Sequence, residues 1–86
     1  AMKTVEIYTQ PRCGFCTAAL RLLAKKGAPV TEFDVSRMPG KRAEMMQRAK
    51  GRSSTPQIFI GDTHVGGCDE LFALQDAGKL DALLQA

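Results

Sequence analysis

The chain has no tryptophan, a single tyrosine and a single histidine. No stretch interleaves basic with aromatic residues, so the stacking-and-charge surface that nucleic-acid binders use is missing. No apolar run approaches the ~18 residues that span a bilayer, and no charged-then-apolar leader follows Met2. The expectation is a soluble, cytoplasmic protein with neither a membrane nor a nucleic acid as partner. Three cysteines are too few, and odd in number, for the framework of a secreted disulfide-rich domain. A zinc site needs about four ligands, and a second C-x-x-C or an H-x-x-x-H is lacking; Cys68 and His64 are the only spare candidates. Internal repeats, linkers and low-complexity segments are also absent.

What is present fits one domain. The 86 residues are 44% hydrophobic, enough for a core without a metal or disulfide scaffold. Ala1, ahead of Met2, reads as a cloning residue, which leaves residues 2–86 as the domain. The net charge is +3, and the positive charges are scattered along the chain, among them Lys25, Lys26, Lys41, Arg42, Arg48, Lys50 and Arg52. Scattered charges of this kind are either simply solvated or a mild positive field around a small anion.

The pattern alternates strands and helices. Thr4 to Tyr8 is β-branched and alternating, which predicts a strand that Gln10-Pro11 ends. Phe15, Ala18, Ala19, Leu22 and Leu23 follow a helical period, with Lys25 and Lys26 in the last turn and Gly27 beyond it. Val30 to Val35 predicts a second strand. Lys41 to Lys50 predicts a short helix with Met45, Met46 and Ala49 facing inward, closed by Gly51. Gln57–Ile60 and Thr63–Val65 flank Gly61-Asp62, a two-residue hairpin turn of the Gly-X kind. Two further helices are expected, from Cys68 or Asp69 to Ala77 and from Lys79 to Leu84. The order β-α-β-α-β-β-α-α is α/β. It implies a four-stranded mixed sheet flanked by helices, whose first two strands are parallel through a right-handed crossover.

Chemistry concentrates at Cys13-Gly14-Phe15-Cys16, a C-x-x-C after a strand and at the start of a helix. The thiolate is the nucleophile in disulfide exchange, and a free cysteine near pKa ~8.5 is mostly protonated at neutral pH. A helix N-terminus favours the anion through its unpaired N–H groups and dipole, and Arg12 pushes the same way. Two intervening residues let Cys16, one turn into the helix, reach Cys13 and resolve a mixed disulfide formed there. A half zinc site and a purely structural pair are the alternatives, and the strand before the pair favours redox chemistry over both.

Three blocks together, Tyr8-Thr9-Gln10-Pro11-Arg12-Cys13-Gly14-Phe15-Cys16, Ser54-Thr55-Pro56-Gln57-Ile58-Phe59-Ile60 and Val65-Gly66-Gly67-Cys68-Asp69, resemble the signature blocks of bacterial dithiol glutaredoxins, in order and in spacing. The resemblance covers the chain from Met2 onward and implies a thioredoxin-like fold and a glutathione-dependent thiol–disulfide oxidoreductase. On that resemblance the catalytic pair is Cys13 and Cys16. Pro56 matches the family's cis-proline, which presents the backbone of Thr55 to the cysteinyl part of glutathione; many relatives have valine where Thr55 stands. Gly67, Cys68 and Asp69 match the helix start that holds the γ-glutamyl carboxylate. Asp69 either caps that helix or accepts from the ligand's ammonium group. The lysine common three residues before the first cysteine is replaced by Gln10, so Arg12 and Arg42 become the candidates for the glycine carboxylate. A solvated surface role is the alternative for Arg42, and the segment between Met45 and Ser54 is one residue longer than in close relatives. Cys68 is expected half-buried with only its N–H engaged, His64 on the surface, Tyr8 near Cys13, and Phe15 over the thiolate or the ligand.

The implied co-substrate is glutathione, with no metal, and the partners are glutathione and disulfide-containing or glutathionylated proteins met by a monomer. A second reading uses the likeness of Cys-Gly-Phe-Cys to the Cys-Gly-Phe-Ser of monothiol relatives. It is a [2Fe-2S] carrier in which two Cys13 thiolates and two glutathiones ligate the cluster across a homodimer. The resolving Cys16 argues against it. A plain thioredoxin is a third reading, disfavoured by the Gly66-Gly67-Cys68-Asp69 block.

Overall fold

A computed structural model describes residues 1–86. Its elements run β1 (Val5–Thr9), α1 (Gly14–Lys25), β2 (Val30–Asp34), α2 (Lys41–Arg48), β3 (Gln57–Ile60), β4 (Thr63–Gly66), α3 (Cys68–Asp76) and α4 (Leu80–Leu84). The order is the expected one, with boundaries moved by one or two residues. The strands form one mixed sheet in the order β2-β1-β3-β4. β1 lies parallel to β2, with Ile7 opposite Glu32, and antiparallel to β3, with Ile7 opposite Ile58. β3 and β4 make the hairpin, with an irregularity between Ile58 and Phe59. Gly61 takes a positive φ of 57° at the first position of its turn, as a Gly-X turn requires.

The two-residue period of the central strands divides the core between the faces of the sheet. Val5, Ile7, Ile58 and Ile60 point to one face and pack with Ala19, Leu22 and Leu23 of α1, Leu71 of α3, and Leu80 and Leu84 of α4. Each such aliphatic side chain stabilises the fold by about 1.5–3 kcal/mol through burial, so this cluster dominates. Tyr8 and Phe59 point to the other face, where Val35, Met45 and Ala49 complete a smaller cluster. No helix is long and apolar enough to cross a membrane.

The smaller cluster is supplemented by polar contacts. Tyr8 donates its hydroxyl hydrogen to Glu44 and accepts from Arg48 at 2.7 Å. Arg48 also pairs with Glu6 at 3.0 Å and lies 4.0 Å over the Phe59 ring. Two expectations change here, at Met46 and at His64. Met46 is 37% exposed, because α2 has only eight residues and turns Met45 and Ala49, one turn apart, toward the sheet. Tyr8 is committed to Glu44 and Arg48 on the α2 side. His64 is half-buried, stacked on Phe59 at 4.7 Å and bonded to Gln57 at 2.8 Å. Burial and then the positive charge of Arg52 and Lys50 hold the His64 pKa below its usual value.

Candidate active site

Cys13 is the N-cap of α1. Its backbone is extended (φ −107°, ψ 99°), and its sulfur accepts the N–H of Cys16 at 3.2 Å. The residue before it, Arg12, turns the chain through a left-handed conformation (φ 55°). One of the orphan donors of the first helical turn is therefore aimed at the Cys13 sulfur, which is the physical device by which a helix start favours a thiolate. Cys16 follows one turn later with its Cα 5.2 Å from that of Cys13, and the two are joined as a disulfide. Their accessibility differs: Cys13 is half-buried and Cys16 only 3% exposed. An incoming disulfide can reach the first sulfur and not the second.

The β3 side supplies the opposite wall. The Thr55–Pro56 peptide bond is cis. Both the hydroxyl and the carbonyl oxygen of Thr55 lie 3.7 Å from the Cys13 sulfur. Beside this contact is a cleft of about 220 Å³ between the start of α1, the segment Ser54–Pro56 and the start of α3. Phe15, Thr55, Pro56, Gly67, Cys68 and Asp69 all line it. Phe15 is 66% exposed, an aromatic ring left free at the cleft's edge. Arg12 and Arg42 are outside this lining. Arg42 instead reaches from α2 to Gln10, donating to its side-chain oxygen at 3.1 Å, so these two positions meet on the cysteine side of the molecule.

The start of α3 differs from expectation. The Gly67 N–H is not free: Glu70 reaches back and accepts from it at 2.6 Å. Asp69 is not the cap; it stands second in the helix, exposed at the cleft. The first-turn N–H groups of Cys68 and Asp69 have no acceptor within the helix. The Cys68 side chain is buried, and burial followed by the nearby Asp69 charge pushes its thiol pKa up. It is therefore a poor nucleophile.

Three lining residues went unrecognised in the sequence: Arg52, Ser54 and Glu70. Arg52 donates to Glu70 at 3.2 and 3.3 Å, and the Glu70 carboxyl is held below its usual pKa by the Gly67 N–H first and by Arg52 next. Glu70 had a legible signal, a glutamate three residues after the N-cap. Arg52 had none. Gly66 explains why this corner admits no side chain, since its φ is +116° and a Cβ there would meet Glu70 Oε1 at 2.5 Å.

Comparison with known proteins agrees with this geometry. The glutaredoxin family model matches residues 5–65. The chain belongs to the glutaredoxin family. A glutaredoxin of Pseudomonas aeruginosa is 51% identical over 85 residues, covering 99% of this chain and all of that one. The solution structure of a glutaredoxin from Brucella melitensis superposes with a TM-score of 0.83 at 57% identity, over 98% of this chain and 90% of its own. The crystal structure of a buckwheat glutaredoxin–glutathione complex gives a TM-score of 0.84 at 28% identity, over 93% and 74%. The fold is thus thioredoxin-like, and the protein is an enzyme, a thiol–disulfide oxidoreductase of the glutaredoxin family with a redox-active Cys13–Cys16 pair.

Proposed function

We propose that the chain reduces glutathione mixed disulfides and protein disulfides with glutathione as electron donor, Cys13 being the nucleophile and Cys16 the resolving thiol. The observation that carries this reading is the placement of the half-buried Cys13, capping α1, with its sulfur against Thr55, a residue that lines the neighbouring cleft. In that cleft the Thr55 backbone pairs with the cysteinyl part of glutathione, as an added strand does. The Cys68 and Asp69 N–H groups take the γ-glutamyl carboxylate, with Gly67 and Pro56 shaping the wall and Phe15 covering the ligand. Arg42 beside Gln10, or Arg12, meets the glycine carboxylate. The buckwheat relative solved with glutathione supports a ligand of this class.

In the first step the Cys13 thiolate attacks the glutathione sulfur of a mixed disulfide. A Cys13–glutathione disulfide forms, and the substrate thiolate leaves and takes a proton. A glutathione thiolate then attacks the glutathione sulfur of that intermediate, releasing glutathione disulfide and restoring the Cys13 thiolate. For a disulfide within a protein, the Cys13 thiolate attacks one sulfur, and the other leaves as a thiolate and takes a proton. Cys16 then loses its proton and displaces the substrate from Cys13. The Cys13–Cys16 disulfide forms, and two glutathiones supply the two electrons that reopen it. The working form is a cytoplasmic monomer, its partners glutathione and disulfide-bearing or glutathionylated proteins, and no step calls on a metal.

The test is NADPH consumption coupled through glutathione reductase, with a glutathionylated peptide as substrate. Turnover that depends on glutathione and on the protein is expected; none overturns the proposal. The [2Fe-2S] alternative is read on the same sample. One open sulfur per chain means that a cluster needing four must recruit a second copy and two glutathiones. Anaerobic reconstitution with iron and sulfide then yields a coloured dimer only if that reading is right.

A further inference from the structure

Thr55 offers the Cys13 sulfur two groups of opposite effect. Its carbonyl oxygen, 3.7 Å away, can only accept, so it favours the protonated thiol. Its hydroxyl, also at 3.7 Å, can donate, and it has no other hydrogen-bond partner. Reduction of the disulfide takes two electrons, leaving Cys16 as a thiol and the Cys13 sulfur carrying the charge. A donor beside a full negative charge binds it more strongly than it binds a neutral sulfur. The Cys16 N–H already approaches that sulfur from the helix side at 3.2 Å, and the hydroxyl approaches from the β3 side.

We propose that the Thr55 side chain is a catalytic group: its hydroxyl donates to the Cys13 thiolate, setting the thiolate's stability and the ease with which it leaves a mixed disulfide. This is separate from the backbone role of Thr55 in ligand pairing, and it rests on Cys13 being the nucleophile. When glutathione attacks the Cys13–glutathione intermediate, the electron pair of the breaking S–S bond goes to the Cys13 sulfur, and the same hydroxyl meets it there. The charged groups nearby are Arg12, next to Cys13 in the chain, and Arg52, Asp69 and Glu70, which line the cleft with Thr55. None of them is altered by a substitution at Thr55.

The experiment compares the reduced parent protein with Thr55→Val and Thr55→Ser. Valine keeps the β-branched shape and removes the hydroxyl; serine keeps the hydroxyl. The rate of iodoacetamide alkylation is measured against pH, and mass spectrometry identifies the cysteine modified. Thr55→Val is expected to raise the midpoint by about half a unit to one unit, just under the range for a hydrogen bond to a charged group because Cys13 is half-buried. Its alkaline plateau rises about threefold per unit, since intrinsic nucleophilicity grows with pKa. The profiles therefore cross, with the valine variant slower in acid and faster in base. Thr55→Ser follows the parent. A one-unit shift is tenfold in the dithiol–disulfide equilibrium, or about 30 mV, with the valine variant the more reducing. A merely structural role would lower the melting temperature without making the profiles cross. Superimposed profiles for parent and Thr55→Val, or a serine variant that behaves like valine, overturn the proposal. Alkylation at a cysteine other than Cys13 overturns instead the reading beneath it. If circular dichroism shows Thr55→Val unfolded, Thr55→Ala replaces it under the same criteria.

Discussion

Replacing Glu70 with alanine removes one oxygen that serves two donors, the buried Gly67 N–H at 2.6 Å and the Arg52 guanidinium at 3.2 Å. Loss of a capping side chain costs about 1 kcal/mol. The ion pair joins two half-exposed side chains and adds no more than about 0.5 kcal/mol. The expected total is about 1.5 kcal/mol, a fall in Tm of about 6–12 °C for a domain of this size. Glu70→Gln keeps an acceptor for the Gly67 N–H and gives up the charge, so it loses about 0.5 kcal/mol. The assay is urea unfolding followed by circular dichroism, where the midpoint shifts and the m-value does not.

The pH dependence adds a second, independent check. The folded Glu70 carboxyl is held below its unfolded pKa by the Gly67 N–H and Arg52. A depressed acid contributes stability that is present above the unfolded value, about 4.3, and lost as pH falls through the folded one. The gap between parent and Glu70→Ala should thus stay constant from neutral pH down to about 5 and narrow toward the glutamine variant's below about 4. A loss under about 0.5 kcal/mol at neutral pH, or a gap that ignores acid, refutes the reasoning.

The two adjacent methionines of α2 should behave differently. Met45→Ala empties a fully buried site and costs about 2–5 kcal/mol, whereas Met46→Ala stays within about 0.5 kcal/mol, both by urea unfolding. Tyr8 is the sole tyrosine in a chain without tryptophan, so its ionisation can be followed alone by absorbance at long ultraviolet wavelengths. Burial, reinforced by its hydrogen bond to Glu44, raises its pKa. Its native midpoint should therefore lie above the usual value of about 10, and its contribution to stability should be full below about 10 and lost as pH rises from there through that midpoint.

The central fold was legible because its signals are local. Alternation in β1, the helical period from Phe15 to Leu23, and Gly61 in the hairpin turn each act within a few residues. The Cys13 and Cys16 placement was legible for the same reason: a cap and a position one turn later are fixed by helix geometry alone. Contacts across the chain were not. Tyr8 meets Arg48 forty residues away, and nothing near either residue announces the pairing. Met46 was misplaced because an eight-residue helix holds too few turns for its period to separate neighbouring positions. His64 sits in a strand whose exposure depends on Phe59 and Gln57 across the hairpin. Arg52 joins the cleft only because Glu70 and Gly66 bring the start of α3 beside it, whereas Glu70 itself carried a capping pattern that could have been read.

The central claim is that Cys13 alone is indispensable for glutathione transfer, Cys16 serving only to resolve protein disulfides. The direct measurement compares Cys13→Ser and Cys16→Ser with the parent in the reduction of a glutathionylated peptide, coupled to NADPH consumption through glutathione reductase. Activity abolished in Cys13→Ser and retained in Cys16→Ser is the predicted result. Activity that survives in Cys13→Ser, or vanishes only in Cys16→Ser, would contradict it.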